Sequence, residues 1–237
     1  MVPSPGALMS VDASSVWIVV PAFNERPAIG DVVRDLRGRY RNIVVVDDGS
    51  VDDTAAAAQE GGATVLRHAI NRGQGAALAT GLRFAVGRGA RYVITFDADG
   101  QHRVDDVERL LAPLVEGVAD VALGSRFLGS GAVGMPLRRS LLLRAATLFT
   151  RATTGLRVTD THNGLRAFSG AAARSIRLRL DRMAHASEIL DEIRRNRLRF
   201  VEVPVSIQYS NYSLQKGQSG LGAIRILLDY LVERVTR

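Results

Sequence analysis

Apolar residues along this chain fall into short unbroken runs, separated by longer stretches in which they recur every three or four positions. The runs are Val16-Trp-Ile-Val-Val20, Ile43-Val-Val-Val46, Thr64-Val-Leu66, Tyr92-Val-Ile-Thr-Phe96 and Val121-Ala-Leu-Gly-Ser-Arg126. Continuous apolar segments of this length predict strands buried on both faces, as a parallel sheet requires. The first intervening stretch carries Ile29, Val32, Val33 and Leu36 and predicts a helix from near Pro27, since proline suits a first turn. Further helices are expected over Asp52 to Glu60, over Ala76 to Val86 behind Asn71-Arg-Gly-Gln-Gly75, and over Val104 to Val115. This alternation predicts an α/β fold, a doubly wound and mostly parallel sheet of four or five strands with helices on both faces.

Beyond Phe127 the pattern changes. A loop with Gly129, Gly131 and Gly134 leads to a helix over Leu137 to Thr153, apolar at Leu141, Leu142, Ala145, Leu148 and Phe149 and basic at Arg138, Arg139, Arg144 and Arg151. It reads either as a core helix with a solvated edge or as an interfacial helix on an anionic bilayer. Short helices follow at Gly170 to Ile176 and Ser187 to Asn196, then strands Phe200 to Val203 and Val205 to Tyr209 around Pro204. A last amphipathic helix is expected over Leu221 to Val235. Residues 1–14, with Pro3, Pro5 and Gly6, read as a flexible leader, and 15–237 as a single domain.

Composition narrows the partners. The chain has 237 residues, 46% of them hydrophobic, enough to bury a sizeable core. It has no cysteine, which excludes disulfides and thiolate metal sites and fits a reducing compartment. No stretch reads as a signal peptide, and Arg144, Arg225 and Asp229 interrupt the best membrane-spanning candidates well short of about 20 apolar residues. The expectation is a cytoplasmic protein, peripheral on the inner face of the membrane. A formal charge of +7 attracts nucleic acid, anionic membranes or phosphorylated ligands. The arginines are dispersed, no basic and aromatic residues interleave, and Lys216 is the only lysine. Nucleic acid is therefore not expected, whereas a phosphate-bearing ligand at a membrane surface is.

Polar clusters stand at three strand ends: Asn24 and Glu25, Asp47 and Asp48, Asp97 and Asp99. In a parallel sheet those ends share one edge, where ligands bind. Asp97 and Asp99 followed by Gly100 are ordinary turn chemistry taken alone. Converging with the other clusters, they read as hard oxygen ligands for Mg²⁺ or Mn²⁺ carrying a phosphate. Other phosphate cradles are missing: Gly73-Gln-Gly75 is followed by Leu78 where a dinucleotide fingerprint needs glycine, and a P-loop needs a lysine where none stands.

Taken in order, Pro21-Ala-Phe-Asn-Glu25, Val46-Asp-Asp-Gly-Ser50, Asn71-Arg-Gly-Gln-Gly75 with Gly81, Asp97-Ala-Asp99, Gly124-Ser-Arg126 and Asp160 to Arg166 resemble glycosyltransferase family 2. Within it the likeness is to polyprenyl-phosphate sugar synthases of the dolichol-phosphate mannose type. The resemblance implies a GT-A fold, with a nucleotide-binding half at about 15–126 and an acceptor half at about 127–237. It also implies inverting transfer from a nucleotide-sugar donor, GDP-mannose or a UDP-sugar, to a polyprenyl phosphate. By position, Pro21, Phe23, Glu25 and Asp48 would hold base and ribose, with Gly73, Asp97 and Ala98 also against the nucleotide. Asp97, Asp99 and Gln101 would bind the metal, and Arg126 would lie near the diphosphate or the acceptor.

The acceptor decides whether a base is needed. A hydroxyl must lose a proton, to Asp160 or to Glu188; a lipid phosphate is already ionised, and Asp160 then positions. Arg166 reads equally as a phosphate contact or a structural ion pair, and His162 and His185 as substrate contacts or as buried, satisfied histidines. The related synthases carry an Arg-x-x-Gly-x-Ser where this chain has Tyr209 to Ser219 with Lys216, read as a loop closing over the donor diphosphate. A lipid acceptor requires docking through the Arg138–Arg151 helix, the C-terminal helix or a membrane-protein partner. Two rivals remain: a haloacid-dehalogenase-type phosphotransferase using Asp97 as nucleophile, and a non-catalytic nucleotide-sugar-binding scaffold.

Overall fold

The computed structural model describes residues 12–128, 132–133, 137–178 and 185–208. The first half alternates as expected: β1 (Val16–Ala22), α1 (Arg26–Arg37), β2 (Asn42–Asp47), α2 (Thr54–Glu60), β3 (Thr64–Arg67), α3 (Gln74–Gly87), β4 (Tyr92–Thr95), α4 (Asp105–Val115) and β5 (Val121–Ser125). The second half supplies β6 (Ala132–Val133), α5 (Leu137–Thr154), β7 (Arg166–Ser169), α6 (Gly170–Ser175), α7 (His185–Arg195), β8 (Phe200–Pro204) and β9 (Ile207–Gln208).

Seven strands form one sheet in the order β3-β2-β1-β4-β7-β5-β8, and β6 pairs with β9 apart from it. Every pairing in the large sheet is parallel except the two made by β7, which runs antiparallel between β4 and β5. The expected strands are present, but β7 was not foreseen. Strand Val205 to Tyr209 shrinks to Ile207–Gln208, Tyr209 lying outside the described residues. The segment 209–237, with Lys216, its expected loop and the last helix, lies there too.

The sheet is covered on both faces, which is why its strands are apolar throughout. On one side Ile18, Val20, Val45 and Ile94 pack with Ile29, Val33 and Leu36 of α1 and with Leu110 and Leu114 of α4. On the other, Val19, Val44, Val46 and Val93 pack with Leu78 and Leu82 of α3 and with Ile189, Leu190 and Ile193 of α7. Each such aliphatic side chain, fully buried, contributes about 1.5–3 kcal/mol. In α1 the buried positions Ile29, Val32, Val33 and Leu36 follow the helical period.

Helix α5 was expected either as a core helix with a solvated edge or as an interfacial helix. Thr147, Thr150 and Thr154 are buried, while Leu141, Ala145 and Leu148 face outward. The threonine hydroxyls donate to the helix's own carbonyls at Leu143, Ala146 and Thr150, over 2.9, 3.0 and 2.8 Å.

Register aligns the strand ends. Ala22 pairs with Asp47, Asp47 with Arg67, and Val19 with Thr95, so the turns after β1, β2, β3 and β4 emerge at one edge. Helix α3 approaches that edge closely: a Cβ on Gly81 would overlap the Val19 side chain of β1. Gly81→Ala should therefore lower stability by roughly 1–3 kcal/mol in denaturant titration, the overpacking cost outweighing alanine's helix propensity; an unchanged midpoint would show that α3 can retreat.

Candidate active site

The turns at this edge are tied to one another through backbone groups. Asn24, in a left-handed backbone conformation at φ 52°, accepts from Val51 N–H at 3.0 Å, and its own N–H donates to Ser50 Oγ at 2.9 Å. Glu25 N–H donates to Thr54 Oγ1 at 2.8 Å. Asp48 is buried, and its carboxylate accepts from the N–H groups of Arg72 at 3.0 Å and Gly73 at 2.6 Å, with His68 Nδ1 2.6 Å away. Asp48 thus clasps the Asn71–Gly73 loop that opens α3. Asp47, also buried, accepts from Ser50 N–H at 3.0 Å and pairs with Arg67 at 3.1 Å. Pro21 is buried in β1, whereas Phe23 is among the exposed large apolar residues at the mouth.

Asp97 and Asp99 emerge from β4 into the same edge. Asp97 Oδ1 accepts from Gln74 Nε2 at 3.2 Å, and Oδ2 pairs with His102 Nε2 at 2.9 Å. Burial pushes Asp97 up, but the His102 hydrogen bond and the charges of His102, Arg166 and His185 outweigh it and hold the carboxyl below its usual range. Asp99 is pushed up to about 6, first by burial and then by the charge of Asp97, with Glu25 adding to it. Asp99 therefore feels the charge of both Asp97 and Glu25. Gln101 contributes its N–H to Asp99 Oδ1 at 3.1 Å, and Ala98 packs into the core below the turn.

The opposite wall comes from the segment entering β7. Asp160 is buried; its Oδ2 accepts from Arg126 Nε at 2.6 Å and Arg126 N–H at 3.1 Å, and its Oδ1 accepts from His162 N–H at 3.2 Å. Arg126 also donates to the His162 carbonyl at 2.8 Å. The expected catalytic pair is thus an ion pair. Glu202 of β8 fixes this segment from behind, accepting from Thr159 N–H at 2.7 Å and Asp160 N–H at 3.2 Å. Thr95 Oγ1 donates to the Gly164 carbonyl at 2.6 Å, and Gly164 lies so close to Asp97 that a Cβ there would overlap the carboxylate.

Arg166 is buried beneath both walls and donates to the Thr161 carbonyl at 2.9 Å. Burial lowers its pKa to about 10 while the charges of Asp97 and Asp160 work against the fall. His162, pushed down to about 4 by burial and by the nearby arginines against the pull of Asp160, is neutral at physiological pH. His185 and Glu188 are buried in the first turn of α7. Gln74, His68, His102 and Glu202 were not foreseen as site residues. His102 stands five positions after Asp97 in the same motif, which was a usable signal; His68 and Glu202 reach the site only through the sheet.

The metal expectation can be tested on the donor set. Two carboxylates lie close enough for Asp97 to raise Asp99, a repulsion that a divalent cation would relieve. Among the described residues no group of three or more acidic or histidine side chains is arranged to hold an ion. A divalent cation held at this turn would take Asp97 and Asp99 as its carboxylate ligands and would need its remaining oxygens from elsewhere.

The family model for Glycosyl transferase family 2 matches residues 17–177. An uncharacterized protein of Methanocaldococcus jannaschii is 38% identical over 95% of this chain and 94% of its own length. The UDP-N-acetylglucosamine–dolichyl-phosphate N-acetylglucosaminyltransferase of Methanococcus voltae is 32% identical over 92% of this chain and 95% of its own. Among solved structures, glucosyl-3-phosphoglycerate synthase from Mycobacterium tuberculosis, in complex with Mn²⁺ and UDP-glucose, aligns with a TM-score of 0.71 at 22% identity, covering 96% of this chain and 80% of that one. This last likeness establishes the architecture, of GT-A type. The phosphotransferase reading finds no support in these matches.

Two outcomes are expected. Asp99 takes up its proton at higher pH in the folded than in the unfolded chain, so its ionisation costs stability above about pH 6, a cost relieved as pH falls toward 4. In metal-free buffer Asp99→Asn should therefore melt higher than wild type at pH 7, with the gap closing toward pH 5; parallel pH profiles would refute the assignment. Gly164→Ala should displace the Asp97 carboxylate and abolish metal-dependent nucleotide stabilisation while the protein still melts cooperatively, and an undiminished shift would show that the carboxylate can move without cost.

Proposed function

The chain belongs to glycosyltransferase family 2, and on that premise we propose that it transfers a sugar from a nucleoside-diphosphate sugar to a polyprenyl phosphate with inversion at the anomeric carbon. The reading is carried by one arrangement: Asp97 and Asp99 on one wall, with the Arg126–Asp160 pair on the other and Gly164 touching both sides of the cleft. In the reaction a phosphate oxygen of the acceptor bonds the anomeric carbon. The bond from that carbon to the donor diphosphate breaks, and its electron pair leaves with the nucleoside diphosphate.

Each residue has a task in this scheme. Phe23, Pro21 and Glu25 receive base and ribose; Asp48 contributes by holding the Asn71–Gly73 loop against them. Asp99, with Asp97 and Gln101, would hold Mg²⁺ or Mn²⁺, which would supply positive charge against the donor diphosphate. The fold neighbour's complex with Mn²⁺ and UDP-glucose supports a nucleotide-sugar donor with a metal. Both Asp160 oxygens are engaged by Arg126 and His162, which suits positioning better than proton abstraction and so favours an acceptor that needs no base. The name of the Methanococcus voltae relative supports a lipid-phosphate acceptor. A lipid-phosphate acceptor would place the protein at the membrane surface, cytoplasmic side; no helix among the described residues is long and apolar enough to cross a membrane.

Thermal denaturation with GDP, UDP and dTDP, with and without Mn²⁺, should single out one nucleotide whose stabilisation requires the metal and disappears in Asp99→Asn. Labelled donor should then give a lipid-extractable product with a polyprenyl phosphate and none with the dephosphorylated alcohol. Product formed equally from the alcohol would defeat the phosphate reading. For the Lys216 loop, Lys216→Ala should lower turnover at least tenfold while the nucleotide shift is retained, and an unchanged rate would discard closure by that segment.

A further inference from the structure

We propose that Glu202, on β8, is a positioning residue for the transfer: its side chain fixes Asp160, and through it Arg126, by accepting hydrogen bonds and not by its charge. The inference deepens the lipid-phosphate reading, on which it rests for the identity of the sugar acceptor though not for its geometry. Glu202 pairs with Leu123 across β5 and β8, two residues before Ser125. One of its oxygens, Oε1, accepts from Thr159 N–H at 2.7 Å, the Thr159 hydroxyl at 2.9 Å and Asp160 N–H at 3.2 Å. Three donors from two consecutive residues thus converge on a single atom, and that atom is carried by a strand of the main sheet.

This oxygen also sets the direction of a longer chain of bonds. A carboxylate oxygen only accepts, so the Thr159 hydroxyl gives its one proton to Glu202. The contact between Ser125 Oγ and Thr159 Oγ1, 2.6 Å long, must then run from serine to threonine. Ser125 Oγ in turn accepts from Phe127 N–H at 3.2 Å. From Phe127 N–H through the Ser125 and Thr159 hydroxyls to Glu202, every donor therefore points the same way. Arg126 lies between the two residues at the near end of that chain, and its own N–H and Nε donate to Asp160 Oδ2 at 3.1 and 2.6 Å. Both members of the Arg126–Asp160 pair are thus flanked by groups whose bonds end on Glu202.

The sheet does not need this arrangement for its own pairing. Backbone register holds β8 to β5 from Val121 with Phe200 to Ser125 with Pro204, and Val205 N–H donates to the Ser125 carbonyl at 3.1 Å. The Glu202 side chain adds something else, a fixed backbone path at Thr159 and Asp160, where the chain has neither strand nor helix. A phosphate arriving at this wall meets a guanidinium whose direction Asp160 sets. Misplacing such a group by about 1 Å can slow a reaction by about 100-fold, even when the substitution lies away from the reacting atoms.

The test compares two variants of the full chain with wild type: Glu202→Met, which keeps the volume and removes the accepting oxygen, and Glu202→Gln, which keeps that oxygen and removes the charge. Amide hydrogen exchange at Thr159 and Asp160 should quicken about tenfold in Glu202→Met and stay near wild type in Glu202→Gln. With a polyprenyl phosphate, Glu202→Met should lower kcat about tenfold or more while the nucleotide shift and the donor KM stay within about twofold. Glu202→Gln should recover most of that loss. Turnover as slow in Glu202→Gln as in Glu202→Met would overturn the proposal, because charge would then be the cause. So would unaltered turnover or unaltered exchange in Glu202→Met, or a nucleotide shift lost together with turnover. If Glu202→Met melts several degrees lower, Thr159→Val carries the test; it should slow turnover with the nucleotide shift retained, and an unchanged rate would overturn the proposal equally. A protein that glycosylates the dephosphorylated alcohol would remove the lipid-phosphate reading instead, and the same comparison, made with the alcohol, would then judge Glu202 separately.

Discussion

A guanidinium buried under two acidic loops holds this site together. Arg166 sits in β7, opposite Thr95 of β4 and Leu123 of β5, so the antiparallel strand carries a positive charge into the middle of the sheet. Removing such a group from water costs several kcal/mol unless partners compensate. Here the compensating charges are Asp97 and Asp160, which belong to the two walls of the cleft. The cation and the two carboxylates are thus mutually required, and the distance between the walls is set by a strand, which is more rigid than a loop.

A second set of contacts fixes the loops around this constraint. Asp48 spans the gap between β2 and the loop opening α3, Gln74 continues from that loop to Asp97, and Glu202 holds the backbone of Thr159 and Asp160. Most of these bonds run from a carboxylate to backbone N–H groups, so they fix chain path and not merely side-chain direction. Asp48 shows the consequence. The family resemblance gave it a nucleotide-contacting position, whereas in the fold its oxygens accept from the Arg72 and Gly73 N–H groups and anchor the loop that opens α3.

The sequence made the edge legible because strand ends and apolar runs are local signals. Val16 to Val20, Ile43 to Val46 and Tyr92 to Phe96 could be read as buried parallel strands, and parallel strands must place Glu25, Asp48 and Asp99 along one side. Strand β7 could not be read that way. Arg166-Ala-Phe-Ser169 is four residues long with arginine first, and what makes it a strand is pairing with β4 and β5, more than forty positions away. Helix α5 stayed open between a core and a surface position for a related reason. Leucines at helical spacing look alike in either place, and the burial of Thr147, Thr150 and Thr154 beside an exposed Leu141 and Leu148 comes only from the fold. Gly164 was visible as a turn residue, but its necessity lies in contact with an aspartate in another loop.

Where the fold leaves polar groups unsatisfied is informative in the same way. Thr161 Oγ1, His162 Nδ1 and Asn163 Nδ2, on three consecutive residues, are buried and have no hydrogen-bond partner among the described residues. Each such group costs about 1–3 kcal/mol if nothing meets it, so each calls for a partner beyond them. The segment that carries them runs between Asp160, fixed by Arg126 and Glu202, and Gly164, fixed against Asp97. Both ends are anchored, which prevents the three side chains from relaxing toward the protein. Stability alone favours apolar side chains at such buried positions, so three consecutive polar ones beside Asp97 and Asp160 accord with the polar ligand proposed for this edge.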